Sequence, residues 1–174
     1  ERLQRWRSAI EARLLPPIMA PGESAWMPLV YLGFLFMPLA FPMMPAADFR
    51  LTFLAIAGFL PLYFLSFWVC GWRRAALALA IAALAPALMP ANPFANTFTI
   101  YGVLSAVELP LPRALGVLVL GIAMLFGALL MVDSDAALFV TLLTVLISTT
   151  SFFAMRFYSA NARKQAVMRV LTQA

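Results

Sequence analysis

The chain of 174 residues is 64% hydrophobic and 11% charged, with 12 basic and 7 acidic residues giving a formal charge of +5. That composition belongs to a membrane protein and excludes a soluble domain built on a large core. Histidine is absent and Cys70 is the single cysteine, which excludes an internal disulfide, a Cys-based or His-ligated metal site, a histidine general base and a phospho-accepting histidine within these residues. In so apolar a chain the basic excess reports topology and contact with anionic lipid, not nucleic acid.

Residues 1–22 form a predicted basic interfacial segment. Leu3, Trp6, Ile10 and Leu14 share one helical face, and Arg2, Arg5, Arg7 and Arg13 surround it; a loosely ordered basic tail fits the same residues. The first residues are too polar for a cleavable signal peptide. Pro16, Pro17, Pro21 and Gly22 then turn the chain. The first apolar span, 26–44, has Trp26 and Tyr31 suited to the interface and is broken by Pro28, Pro38 and Pro42. The second, 51–72, contains Pro61 and ends in an aromatic belt and basic stop, with Trp72, Arg73 and Arg74 last.

The third run, 75–89, and the fourth, 97–109, are short. At 1.5 Å per residue they reach about 22 and 20 Å, less than the ~30 Å hydrocarbon core. Between them Pro90, Asn92, Pro93 and Asn96 stop the helix. A fifth span covers 114–132, and Asp133 and Asp135 separate it from the sixth, 136–157, which is about 33 Å long. The sixth continues without Gly or Pro through Arg163 and Lys164 to Ala174, so a membrane helix is predicted to leave the bilayer as a rigid rod.

Charge decides the sidedness. With six elements and the N-terminus inside, Arg2, Arg5, Arg7, Arg13, Arg73, Arg74, Arg113, Arg156, Arg163, Lys164 and Arg169 share the inner side, and Arg50 alone is outside. Merging runs three and four into one broken pass would divide the basic residues evenly, so the positive-inside rule favours six elements with both termini cytoplasmic. A re-entrant hairpin of runs three and four has the same sidedness.

Motifs for chemistry are few. Glu108 lies at a segment end and Asp133 and Asp135 in a loop, as headgroup-level acids do, and no phosphate-binding loop or metal spacing occurs. A polar stripe is more specific: Thr141, Thr144, Ser148 and Ser151 follow 3-4-3 spacing on one face of the sixth span. Such residues let helices approach and bond across, or bond their own preceding turn. Extended by heptads, this seam passes through Tyr158 and Gln165, whereas Val167, Val170 and Leu171 fall on another face. In a dimer with the sixth helix near its axis, one register cannot serve both halves, so a rotation or stutter is expected near 155–163; a short polar linker without a switch is the alternative.

The order of elements resembles the membrane domain of DesK-type sensor histidine kinases, particularly the proteobacterial members. The resemblance is carried by Phe59, Pro61, Tyr63 and Phe64 in the second span, by Trp72, Arg73 and Arg74, and most closely by the stretch from Met89 through Pro90, Asn92, Pro93, Asn96, Phe98, Ile100 and Tyr101 to Gly102. It covers most of residues 26–171. It implies an all-α polytopic membrane protein of about six hydrophobic helices, organised as the segment 1–22, a transmembrane sensor domain over 23–157 and a cytoplasmic exit helix over 158–174. It also implies a homodimer in a bacterial inner membrane that relays a bilayer or membrane-borne stimulus to a kinase core and its cognate response regulator. The family's catalytic boxes are missing from these residues, so the chain is expected to hold no enzyme activity and no cofactor, ATP and Mg²⁺ belonging to the kinase core. Pro90, Asn92, Pro93, Asn96 and Tyr101 form the candidate sensing loop, and Arg163, Lys164, Val167, Val170 and Leu171 the signal exit. The competing reading is a small transporter or channel subunit with a substrate site at Asn92 and Asn96.

Overall fold

The computed structural model describes residues 27–40, 47–132 and 134–173; the predicted interfacial segment 1–22 and the turn around Pro42 and Pro45 lie outside them. α1 begins as a 3-10 helix over Met27–Phe36 and becomes α-helical over Met37–Ala40. Pro38 has no N–H to donate to the preceding turn, one reason this segment departs from a regular α-helix. The 3-10 rise of 2.0 Å per residue stretches α1 to about 26 Å.

Asp48 caps the next helix, α2 (Phe49–Ser66), its side chain accepting from the Arg50 N–H at 2.9 Å and the Leu51 N–H at 3.2 Å. α2 ends at Ser66, six residues before the predicted stop, in two 3-10-type bonds from Phe67 to Phe64 and from Trp68 to Leu65. Gly71 then turns the chain with φ +62°, a conformation that glycine alone adopts freely. Trp72, Arg73 and Arg74 therefore open α3 (Gly71–Leu88) instead of closing α2. This corrects the predicted short third run: α3 has 18 residues, and its alanines are the strongest helix formers available.

α4 (Thr97–Ser105) is short, with nine residues. Its path is lengthened by 3-10-type turns at both ends, with Ala95 bonded to Asn92, Thr97 to Phe94, Ala106 to Val103 and Val107 to Leu104. α5 (Leu111–Val132) places Pro112 in its first turn, where no N–H is missed. α6 (Ser134–Gln173) runs for 40 residues without interruption, so no helix break marks 155–163. Among the described residues, four stretches are long and apolar enough to cross a membrane: α2, α3, α5 and Leu138–Asn161 of α6.

α4 sits at the centre of the bundle. Thr97, Phe98, Thr99, Tyr101, Gly102, Val103 and Ser105 are all buried. The predicted shortfall of run three shrinks, since 18 residues reach about 27 Å, and the short α4 is enclosed by its neighbours. One apolar core joins α2 to α4 through aromatic rings, with Phe59 4.7 Å from Tyr101 and 5.5 Å from Phe98. A second joins α3, α4 and α5 around Ala78, Val103 and Val117, with Phe152 of α6 fully buried in it. The outward faces stay apolar: Val30, Phe53, Leu54, Val119, Leu142 and Leu146 are exposed, as lipid-facing positions are.

Candidate functional site

Polar side chains gather at the two ends of α4. At the first end, Asn92 is fully buried and entirely engaged. Its Nδ2 donates to the Leu35 carbonyl at 2.9 Å and to Thr52 Oγ1 at 3.0 Å, and its Oδ1 accepts from the Phe94 N–H at 2.9 Å. Thr52 Oγ1 in turn donates to the Asp48 carbonyl at 2.9 Å, and the Asp48 N–H donates to the Ala91 carbonyl at 2.8 Å. One amide thus ties α1, the start of α2 and the 89–96 loop into a knot. Backbone carbonyls at broken helix ends need such partners in an apolar medium.

Asn96, half-buried one turn later, turns to a different neighbour. Its Nδ2 donates to Thr144 Oγ1 at 3.0 Å, while Thr144 donates to the Val140 carbonyl at 2.8 Å. The predicted seam on α6 therefore packs against the chain's own α4: Thr144 and Ser148 are fully buried, and Thr141 and Ser151 half-buried. Thr141 also lines an open apolar groove of about 390 Å³ with Val119, Ile122, Ala123 and Phe126 of α5. The hydroxyls of Thr99, Thr141 and Ser148 are buried without a partner.

At the opposite end, Arg74 Nε donates to the Ser105 carbonyl at 2.9 Å. Arg156 of α6 donates from Nη1 to the carbonyls of Val107 at 2.7 Å and Leu109 at 2.9 Å, and its guanidinium lies 5.6 Å from the Phe152 ring centre. Beside it Ser159 donates to Glu108 Oε1 at 2.8 Å. The 3-10 geometry of the α4–α5 turn leaves those carbonyls outside the helical ladder, and Arg156 satisfies them. Because partner numbers rise together, from Asn96 with Thr144 to Leu109 with Arg156, α4 and α6 run parallel.

Of the sequence-predicted loop residues, Asn92 and Tyr101 are buried, Pro93 and Asn96 are half-buried and Pro90 is exposed. Asn92 and Asn96 serve different interfaces and do not converge on a common cavity. Lys164 and Val167 are exposed on α6, and Arg163, Val170 and Leu171 occupy the same helix. Thr52, Asp48 and Arg156 escaped prediction as site residues; for Arg156 the signal was present, a lone arginine at the end of a membrane-length run. Comparison with protein-family models, curated proteins and solved structures finds no match to this chain.

Proposed function

We propose that this is the membrane-embedded sensory domain of a DesK-like histidine kinase, relaying a bilayer or membrane-borne stimulus through α6 to a kinase core. The observation that carries the reading is α6 itself, one unbroken 40-residue helix held to the bundle through Phe152, Arg156 and Ser159 and running on beyond it, with Lys164, Gln165, Val167 and Met168 exposed. A continuous helix transmits a displacement at one end to the other without a joint to absorb it. A transporter site at Asn92 fits less well, because both of its donors and its carbonyl oxygen already have internal partners.

In this reading the bundle sits in a bacterial inner membrane with Arg73, Arg74, Arg113 and Arg156 at the cytoplasmic end and Asp48 and Arg50 opposite. The domain works as a homodimer, with lipid-facing positions such as Leu142 and Leu146 of α6 available to a second copy. ATP, Mg²⁺ and the response regulator belong to the kinase core; these residues supply no catalysis and bind no nucleic acid.

Sidedness is checked by impermeant thiol labelling in a Cys70→Ser background. Ala47→Cys is expected to label from the periplasmic side and Lys164→Cys only after permeabilisation. External labelling of Lys164→Cys sinks the topology. The relay is checked by joining α6, in helical register, to the dimerising helix of a DesK-type kinase core and reconstituting it in bilayers of graded acyl length. Autophosphorylation is expected to change with thickness or lipid composition. A fused kinase that is active but indifferent to every bilayer overturns the sensory reading.

A further inference from the structure

Polar contacts hold α6 at the two ends of one interface, Thr144 with Asn96 at one and Arg156 and Ser159 with the α4–α5 turn at the other, and unsatisfied groups lie between them. We infer that α6 is a latched lever: the Asn96–Thr144 bond is its pivot, and the grip of Arg156 on the Val107 and Leu109 carbonyls is its release. The inference rests on the relay reading and specifies how that relay is gated.

Between the two latches lie Ser148 on α6 and, on α4, Thr99, whose methyl group faces Gly121 of α5. Both are fully buried, and both hydroxyls lack a partner. Unsatisfied hydroxyls add nothing to adhesion and disfavour the packed state, so polar coupling between the two helices is concentrated at the ends. The ends differ. At one end the contact is neutral, from the half-buried Asn96 amide to the fully buried Thr144 hydroxyl. At the other, burial is the same, Arg156 half-buried on the buried Val107 and Leu109, but the donor is charged and sits beside the exposed Glu108, at a level where water and headgroups offer a guanidinium alternative partners.

The two sides of the latch also differ in stiffness. α3 and α4 meet through Gly102, with no room for a side chain between the helices, and Arg74 ties their other end. That hairpin is the fixed frame. α6 carries no glycine or proline to bend it, so opening at Arg156 swings the exposed part of the helix as one piece about the segment that Thr144 and the buried Phe152 hold in the bundle. Two discrete arrangements of a rigid element are what a switch requires.

The test uses the whole chain in Cys70→Ser form, spin-labelled at Arg73→Cys on the frame and Lys164→Cys on the exit helix, in short-chain and long-chain phosphatidylcholine vesicles. A second pair, Ala76→Cys on α3 and Ala123→Cys on α5, reports the frame and the helix that follows it, without α6. Arg156→Gln is expected to shift and broaden the exit-helix distance distribution while the frame pair keeps its distance, and Arg156→Lys, which retains charge and donors, is expected to restore part of it. An unchanged exit distance in Arg156→Gln, or an equal change in both pairs, overturns the latch. The parent protein separates this from the relay reading: an exit distance identical in thin and thick bilayers counts against thickness relay, whereas the Arg156 comparison decides the latch in either lipid.

Discussion

Replacing Asn92 with leucine is expected to destabilise the bundle by about 2–6 kcal/mol, the cost of stranding two backbone groups away from water at roughly 1–3 kcal/mol each. Leucine keeps the heavy-atom count and branch point of asparagine but its methyl groups are larger than the O and NH2 they replace, so a packing cost adds to the lost hydrogen bonds. The Leu35 carbonyl loses its Nδ2 donor and the Phe94 N–H its Oδ1 acceptor, while Thr52 keeps its bond to the Asp48 carbonyl. Asn92→Asp is expected to be worse at neutral pH, since a buried carboxylate cannot donate to the Leu35 carbonyl. Asn96→Leu breaks a single interhelical bond to Thr144, and such bonds average about 0.6 kcal/mol in membranes. The measurement is thermal unfolding in detergent micelles followed by circular dichroism. For a domain of this size each kcal/mol shifts the midpoint by roughly 2–4 °C, so the Asn92 variants should fall well outside the Asn96 range. An Asn92→Leu midpoint within that range would remove the knot from the account of how α1 is held.

The contrast between these two asparagines also marks what could be read from sequence. Both stood out as amides in an apolar loop, and proximity to Pro90 and Pro93 identified a helix stop. Their partners, Leu35, Thr52 and Thr144, lie 57, 40 and 48 residues away, and helical periodicity indicates which face is polar without naming the neighbour it meets. The length and continuity of α6 were legible because nothing between Tyr158 and Ala174 interrupts a helix. The start of α3 was not. Trp72, Arg73 and Arg74 have the composition of a membrane exit, and only the positive φ of Gly71 reveals that the chain has already turned and is entering the next helix. Arg156 was read as a topological charge because its acceptors are backbone carbonyls, created by turns whose geometry leaves no side-chain signature. The stripe of Thr141, Thr144, Ser148 and Ser151 was recognised as a packing face, but periodicity was silent on whether its partner lay in the same chain or another.

Gly102 is where the packing of α4 can be broken with one methyl group. A Cβ there would lie 2.6 Å from the Ala78 carbonyl oxygen, 2.7 Å from the Ala82 Cβ and 2.9 Å from the Ala82 backbone nitrogen. These atoms belong to the backbone or are fixed to it, so no rotamer change can clear the space. α4 must back away from α3, and overpacking of this kind costs about 1–3 kcal/mol, against a gain of up to about 1 kcal/mol in helix propensity. Gly102→Ala is therefore expected to lower the unfolding midpoint, and Gly102→Leu to lower it further. Gly58 in the exposed middle of α2 provides the opposite case. Nothing lies within 4 Å of its added Cβ, so Gly58→Ala should be neutral or stabilising. Ala82→Gly added to Gly102→Ala removes one of the clashing carbons but leaves the Ala78 carbonyl in place, so partial recovery is the expected result. Displacing α4 also carries the Val107 and Leu109 carbonyls away from Arg156, which makes the exit-helix distance in Gly102→Ala move in the direction produced by Arg156→Gln. If Gly102→Ala matches Gly58→Ala in stability, the two helices do not approach as closely as described, and α4 is not the fixed frame against which α6 is held.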